Sequence, residues 1–299
     1  MCSKYLDSNE LRVRLAIVDC FLEISKGDNG LVLFQQAKEK VYASIVDNFE
    51  RRHNHDHHDH HGEAGDHHKG EGAGKHHEAA PKPKEKKTDL VHDTEGFRCL
   101  ETSMKILQNV LGGNGPRFSP HKDSELIGIV QRSLHHTNRY VRETGYFVCK
   151  DLFAFATPEN LEREVGPKLG PELAFGLDDN WSEVRFAASV ALRELFMKGD
   201  AFKARHYEVL VPRMLLNRYY AAQGVKTFSL DTWRLVIGEQ GRQLVAQYID
   251  KIVEYYISQI DSDNFGVREA AIHCMGELAT RFSFCFPLFF FSFFFFSVV

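Results

Sequence analysis

The sequence has no excess of basic residues: 37 Lys and Arg stand against 41 Asp and Glu, for a formal charge of −4. That balance offers a phosphate backbone no electrostatic footprint, so no nucleic-acid partner is expected. Cysteine is sparse, with six residues at 2, 20, 99, 149, 274 and 285 of a 299-residue chain. None forms a C-x-x-C pair, which argues against a zinc cluster or a disulfide framework and for a reducing compartment. The opening MCSKYLDSNELRVRLAI lacks the apolar stretch and small-residue cleavage site of a secretory signal. The expected location is cytoplasmic. Also missing are G-x-x-x-x-G-K-[ST], G-x-G-x-x-G behind a strand, H-E-x-x-H and G-x-S-x-G. No enzymatic activity and no cofactor are expected. Gly112-Gly113-Asn114-Gly115-Pro116 is glycine-rich but runs into proline, and it reads as a loop between repeats rather than a phosphate cradle. His135-His136 reads as a helix end, where imidazole suits the dipole. Trp181 falls in a turn, and packing onto the next turn is the expectation for so large an aromatic.

What the sequence does have is a repeat. Val-Arg or a close equivalent recurs at Val13-Arg14, Phe97-Arg98, Val141-Arg142, Val184-Arg185, Val225-Lys226 and Val267-Arg268. The last five are 44, 43, 41 and 42 residues apart. The wider gap before Phe97 contains a His/Gly/Lys-rich insert, and removing it restores one repeat.

Each dyad heads a helical stripe at offsets 3, 4, 7, 8 and 11. After Val184 these are Ala187, Ala188, Ala191, Leu192 and Leu195. After Val141 they are Thr144, Gly145, Val148, Cys149 and Leu152, and after Val225 Phe228, Ser229, Thr232, Trp233 and Val236. Val267 gives Ala270, Ala271, Cys274, Met275 and Leu278, and Val13 gives Ala16, Ile17, Cys20, Phe21 and Ile24. Phe97 is the poorest match, because Glu101 and Lys105 fall on its stripe. Cys20, Cys149 and Cys274 are expected to be core residues that behave as small hydrophobes. A second amphipathic helix is predicted upstream of most dyads, at roughly 31–52, 123–134, 158–177, 203–217 and 243–260. Asn9, Asn138, Asn180 and Asn264 stand just before dyads and suit N-caps. Glu183, three after Asn180, completes a capping-box-like pattern.

The run Asp179-Asn180-Trp181-Ser182-Glu183-Val184-Arg185-Phe186-Ala187-Ala188, with variants at 136–145 and 263–271, resembles the HEAT/armadillo family of helical repeats. The resemblance implies an all-α fold, a right-handed α-α superhelix, and use as a surface for protein partners. It also implies that Arg14, Arg142, Arg185 and Arg268 are rungs of an Asp–Arg ladder between repeats. Lys226 departs from that pattern, with Tyr220 where the Asp would be.

Four regions are expected: 1–52, the first repeats; 53–92, a disordered His/Lys/Gly-rich insert; 93–281, further repeats; and 282–299, a Phe-rich tail. The insert has almost nothing apolar to bury. Ten of the sixteen histidines fall between 53 and 77. Among these, His53, His55, His57, His58, His60, His61, His67 and His68 are the candidate ligands for adventitious Zn²⁺, Ni²⁺ or Cu²⁺. In 281–299, fifteen of nineteen residues are Phe, Ser, Leu or Pro. Their codons can begin with two pyrimidines, and a translated polypyrimidine tract gives this composition. A membrane partner is expected only if the tail is a genuine anchor. The expected function is a non-enzymatic scaffold for protein partners. The alternative is metal buffering or metal delivery through the insert.

Overall fold

The computed structural model describes residues 5–6, 8–49, 97–121 and 124–282, and no strand occurs among them. The histidine-rich insert, its eight candidate metal ligands and residues 283–299 lie outside the described residues. No described helix is long and apolar enough to cross a membrane.

The helices are α1 (Leu11–Lys26), α2 (Gly30–Phe49), α3 (Arg98–Asn114), α4 (Ser124–Leu134), α5 (Arg139–Phe155), α6 (Pro158–Asn160), α7 (Gly166–Leu169) and α8 (Leu173–Leu177). They continue with α9 (Ser182–Phe196), α10 (Asp200–Ala204), α11 (Tyr207–Asn217), α12 (Gln223–Val236), α13 (Gly241–Gln247), α14 (Ile249–Ile260) and α15 (Phe265–Arg281). Each dyad helix packs on the helix before it: α3 on α2, α5 on α4, α9 on α8, α12 on α11 and α15 on α14. The dyad helices α1, α3, α5, α9 and α12 also pack flank to flank in that order. The result is a two-layer solenoid with one continuous core.

The stripes explain the layers. Val141, Gly145, Val148, Cys149 and Leu152 are buried in α5, and Val184, Ala187, Ala188, Ala191, Leu192 and Leu195 in α9. Burial of each larger aliphatic side chain contributes roughly 1.5–3 kcal/mol. Small residues set the spacing between layers. A Cβ on Gly176 would overlap the Tyr146 ring and the Ala188 Cβ, so α8 and α9 lie at backbone distance there. In the same way a Cβ on Gly113 would come within 2.7 Å of Ser25 Cβ. Gly112 and Gly113 are thus inside α3, at its crossing with α1, and not in a loop; the helix ends only at Gly115, whose φ is +54°.

Two stripes differ from expectation. In α3 the buried set is Leu100, Ser103, Met104, Leu107 and Leu111. Those are offsets 3, 4, 7 and 11 from Leu100, not from Phe97, and Leu100 is 41 residues before Val141. The register is displaced by three residues, which moves Glu101 and Lys105 to the open face, where they pair at 2.7 Å. In α1 the buried residues are Arg14, Val18 and Ser25, while Ala16, Cys20 and Ile24 are exposed. Cys20 is not a core residue. α1 packs chiefly on α3 and only lightly on α2, so much of that stripe stays open.

The upstream helices are more broken than their periodicity suggests. The segment 158–177 contains a π-helical turn at Leu161–Val165 and a break at Gly170–Glu172, and Tyr248 separates α13 from α14.

Candidate protein-interaction surface

The turns before the dyad helices are organised by side chains. Asn138 Oδ1 accepts from the N–H groups of Tyr140 (2.9 Å) and Val141 (3.4 Å), and Asn264 does the same for Gly266 and Val267. Both are N-caps, as expected. Asn180 is not. The N-cap of α9 is Trp181, and no side chain caps it. The Asp179 carboxylate accepts from Trp181 N–H instead, so the Asn180–Glu183 capping box does not form. Asn9 is not a cap either; its Oδ1 accepts from Arg98 Nη1 at 2.8 Å.

The dyad arginines reach back six residues to a turn carbonyl: Arg14 to Ser8, Arg142 to His136, Arg185 to Asp179 and Arg268 to Ser262. Among the described residues one of them completes an Asp–Arg rung. Arg142 binds Asp179 across the α5–α9 junction, with Nε to Oδ2 at 2.7 Å and Nη2 to Oδ1 at 3.2 Å. One repeat later Tyr220 stands where the Asp would be. Arg185 lies over its ring at 4.4 Å and donates to Asn217 Oδ1 at 2.7 Å. One repeat earlier the same place holds His136, which Phe97 meets edge-on at 4.8 Å. The rung position therefore survives while its chemistry changes from aromatic contact to ion pair to cation–π.

Phe49, from the end of α2, also lies against His136, at 5.9 Å. The two ends that flank the undescribed segment 50–96 thus meet on one imidazole. His135 instead pairs with Glu172 at 2.7 Å. Both histidines follow the end of α4 at Leu134, as read from sequence, and each also contacts residues of other elements.

The outer face of the dyad helices is mixed in character. Glu101, Glu143 and Glu183 come from three successive helices, with Lys105 and Arg139 between them. Burial raises the Glu143 carboxyl above its ordinary pKa; Lys105 opposes this, and Glu183 and Glu101 add to it. Arg139 lies over the Trp181 ring at 3.8 Å, and the indole stays 40% exposed. Trp181 is therefore a cation-covered surface aromatic; the guanidinium of the preceding repeat covers it, not the next turn. Farther along, Phe186 meets Phe228 edge-on at 5.1 Å, and Arg193 lies 3.6 Å over Phe228. Two lysines cap neighbouring helix ends: Lys198 Nζ donates to Ala154 O (2.6 Å) and Lys203 Nζ to Val236 O (2.9 Å).

The stack opens after α12. Its N-terminal turn stays close to α15, since a Cβ on Gly266 would lie 3.3 Å from Ala221 Cβ. Asn264 Nδ2 reaches Asn180 O at 3.4 Å, and Tyr255 O–H donates to Asp178, which also accepts from Arg213 at 2.7 Å. These bonds draw the turn before α15 over that before α12 towards α9. At the other end α12 and α15 separate. Between them lies a cleft of about 580 Å³ with Leu215, Tyr256 and Cys274 at its base. Trp233, Gly238, Glu239, Gly241 and Arg242 form one wall, and Glu277, Leu278, Arg281 and Phe282 the other. Arg218 spans the base and donates to Glu277 Oε2 at 2.9 Å. Burial pushes the Cys274 thiol up to about 12, so it is protonated at neutral pH and is no nucleophile. Burial likewise keeps the Cys149 thiol well above its ordinary range. Among the described residues no group of three or more His, Cys, Asp or Glu is placed to hold a metal ion.

Of the cleft residues, Trp233 was read only as a stripe position, and Arg218, Arg242 and Arg281 carried no motif in the sequence. The one signal that touched them was the loss of the ladder pattern at Tyr220 and Lys226, which marks the junction that opens.

No family model matches the chain, and no curated protein matches its sequence. Two engineered proteins of known crystal structure each superpose with a TM-score of 0.52, at 11% and 12% identity. Both alignments cover 93% of this chain, with 97% and 95% of the engineered chains. A designed armadillo repeat protein aligns over 92% of this chain and 98% of its own, at 12% identity and a TM-score of 0.48. The fold is an armadillo/HEAT-like helical-repeat solenoid.

Proposed function

We propose that this armadillo-like solenoid is a non-enzymatic, cytoplasmic scaffold that binds a protein partner along the outer face of its dyad helices. The observation that carries the reading is the continuity of that face. Five helices pack flank to flank, and Glu101, Lys105, Glu143, Phe147, Glu183 and Phe186 stay at least partly accessible along it. Interspersed aromatic and charged groups on a rigid two-layer support suit recognition of another protein surface. The described cysteines are unpaired, in keeping with a reducing compartment.

The test is affinity capture with the chain and with the double variant Glu143→Lys/Glu183→Lys. Glu183 is exposed and Glu143 half-buried, so the melting temperature of the double variant is measured beside that of the parent, and the comparison is read only where the two agree. A protein captured by the parent chain and lost by the double variant supports the reading. An unchanged set of captured proteins removes it. The metal reading rests on the clustering of ten of the sixteen histidines between 53 and 77. Its test is zinc bound by the full chain against a chain lacking 53–92.

A further inference from the structure

We infer that the cleft between α12 and α15 is a docking site for an acidic, partly apolar segment of a protein partner. The inference rests on the scaffold reading above and names the chemistry that one part of the scaffold recognises. Three independent features converge on it.

The first is shape. Dyad helices α1 to α12 pack on one another in turn, whereas α15 meets the turn before α12 at Gly266 and leaves about 580 Å³ between the C-terminal halves of the two helices. The opening is not a frayed end. Gly238, with φ +58°, turns the chain out of α12 and into α13, so Arg242 and Val245 form a folded wall opposite α15.

The second is a surplus of hydrogen-bond donors. Arg218 Nε is buried and has no acceptor. An orphaned buried N–H of this kind destabilises the fold unless something supplies an acceptor. Trp233 lines the same wall, and no described residue accepts from its indole N–H. Arg242 is exposed in the wall and makes no ion pair among the described residues. Glu277 is already engaged: Arg218 binds Oε2 at 2.9 Å and Arg281 binds Oε1 at 3.1 Å. Glu239 sits exposed at the rim. Three arginines therefore face two carboxylates, one of them already bound twice. An incoming carboxylate gains charge-assisted bonds to Arg242 and to the indole N–H.

The third is the apolar part of the lining. Leu215, Val245 and Leu278 border the cleft, and Trp233 offers a ring face. A free phosphate would use the arginines and leave these surfaces wet. A peptide with an acidic residue beside Leu or Phe uses both.

The experiment uses the full chain carrying Trp181→Phe, which leaves Trp233 as its single indole, since the chain has two. The probes are Ac-Leu-Glu-Phe-Asp-Leu-NH2, its lysine counterpart Ac-Leu-Lys-Phe-Lys-Leu-NH2, and inorganic phosphate. The acidic peptide should change Trp233 emission saturably, and salt should weaken it. Arg242→Glu should weaken binding by at least about tenfold, and Arg242→Lys should keep most of it. Anisotropy of the labelled acidic peptide on the unmodified chain checks that Trp181→Phe is silent. No binding of the acidic peptide, equal binding of the lysine peptide, indifference to Arg242→Glu, or saturation by phosphate that displaces the peptide would each overturn the proposal. Loss of the captured partner with Glu143→Lys/Glu183→Lys, with no acidic-peptide binding, would leave the scaffold and remove the cleft. Peptide binding with an unchanged captured set would do the reverse.

Discussion

The α5–α9 junction and the α12–α15 junction carry the same sequence repeat and come out differently. At the first, Gly145, Ala187 and Ala188 are fully covered, and Arg142 binds Asp179 through two nitrogens. At the second, Phe228 stands at the offset that Ala187 fills in α9, Lys226 makes no rung, and the helices separate around a cleft. A helical repeat therefore closes where small stripe residues and a rung coincide. It opens where the rung is lost and a bulky side chain enters the stripe, and the opened junction is where unpaired donors collect.

The largest effect should come from charging the closed junction. Ala188→Asp puts a carboxylate at a fully buried contact between α8 and α9. A loss of about 3–5 kcal/mol is expected, read as a collapse of the melting temperature. A small loss would mean that the closed junction is softer than its packing implies.

Rung removal comes next and tests the comparison directly. Arg142→Ala strips Asp179 of both guanidinium bonds in a place where the two side chains are 15% and 10% exposed. It should cost about 2–3 kcal/mol. Lys226→Ala, at the open junction, should change stability by less than about 0.5 kcal/mol. Equal costs in chemical denaturation would break the claim that the rung distinguishes the two junctions.

Caps give a smaller contrast. Asn138→Ala removes acceptors for two N–H groups and should cost about 1 kcal/mol. Asn180→Ala removes no cap and should be nearly neutral. The reverse order in thermal melts would restore the capping box that the geometry denies.

The smallest effect is a gain. Burial holds the Asp151 carboxyl above its ordinary 3.8, with Lys150 opposing. A carboxylate whose pKa is raised by folding penalises the folded state once it ionises. That penalty is absent below the ordinary pKa and sets in as pH rises through the raised one. Asp151→Asn should therefore stabilise at pH 7 by less than about 1 kcal/mol, and the gain should vanish near about pH 3. A loss at pH 7 that persists in acid would show that Lys150 outweighs burial.

Much of this was legible in the residues. The stripes after Val141, Val184, Val225 and Val267 bury nearly as spaced, and the Asn138 and Asn264 caps form. The metal-ligand histidines fall outside the described residues, and the cleft arginines carried no pattern at all. Arg218, Arg242 and Arg281 lie 24 and 39 residues apart in sequence and share no local periodicity, so only packing brings them to one cavity.

The sequence by itself determined the helix pairs, their period of about 42 residues and the core stripes of α5, α9, α12 and α15, because those follow from spacing along one helix. Tertiary structure decided which side of a stripe meets a neighbour. It left Ala16, Cys20 and Ile24 of α1 open, slid the α3 register to Leu100, tied Asp179 to the Trp181 N–H where a capping box was expected, and spread α12 from α15. Each of these depends on partners distant in sequence, such as Asn264 reaching Asn180 across 84 residues, and no local pattern of apolar residues encodes which partner will be there.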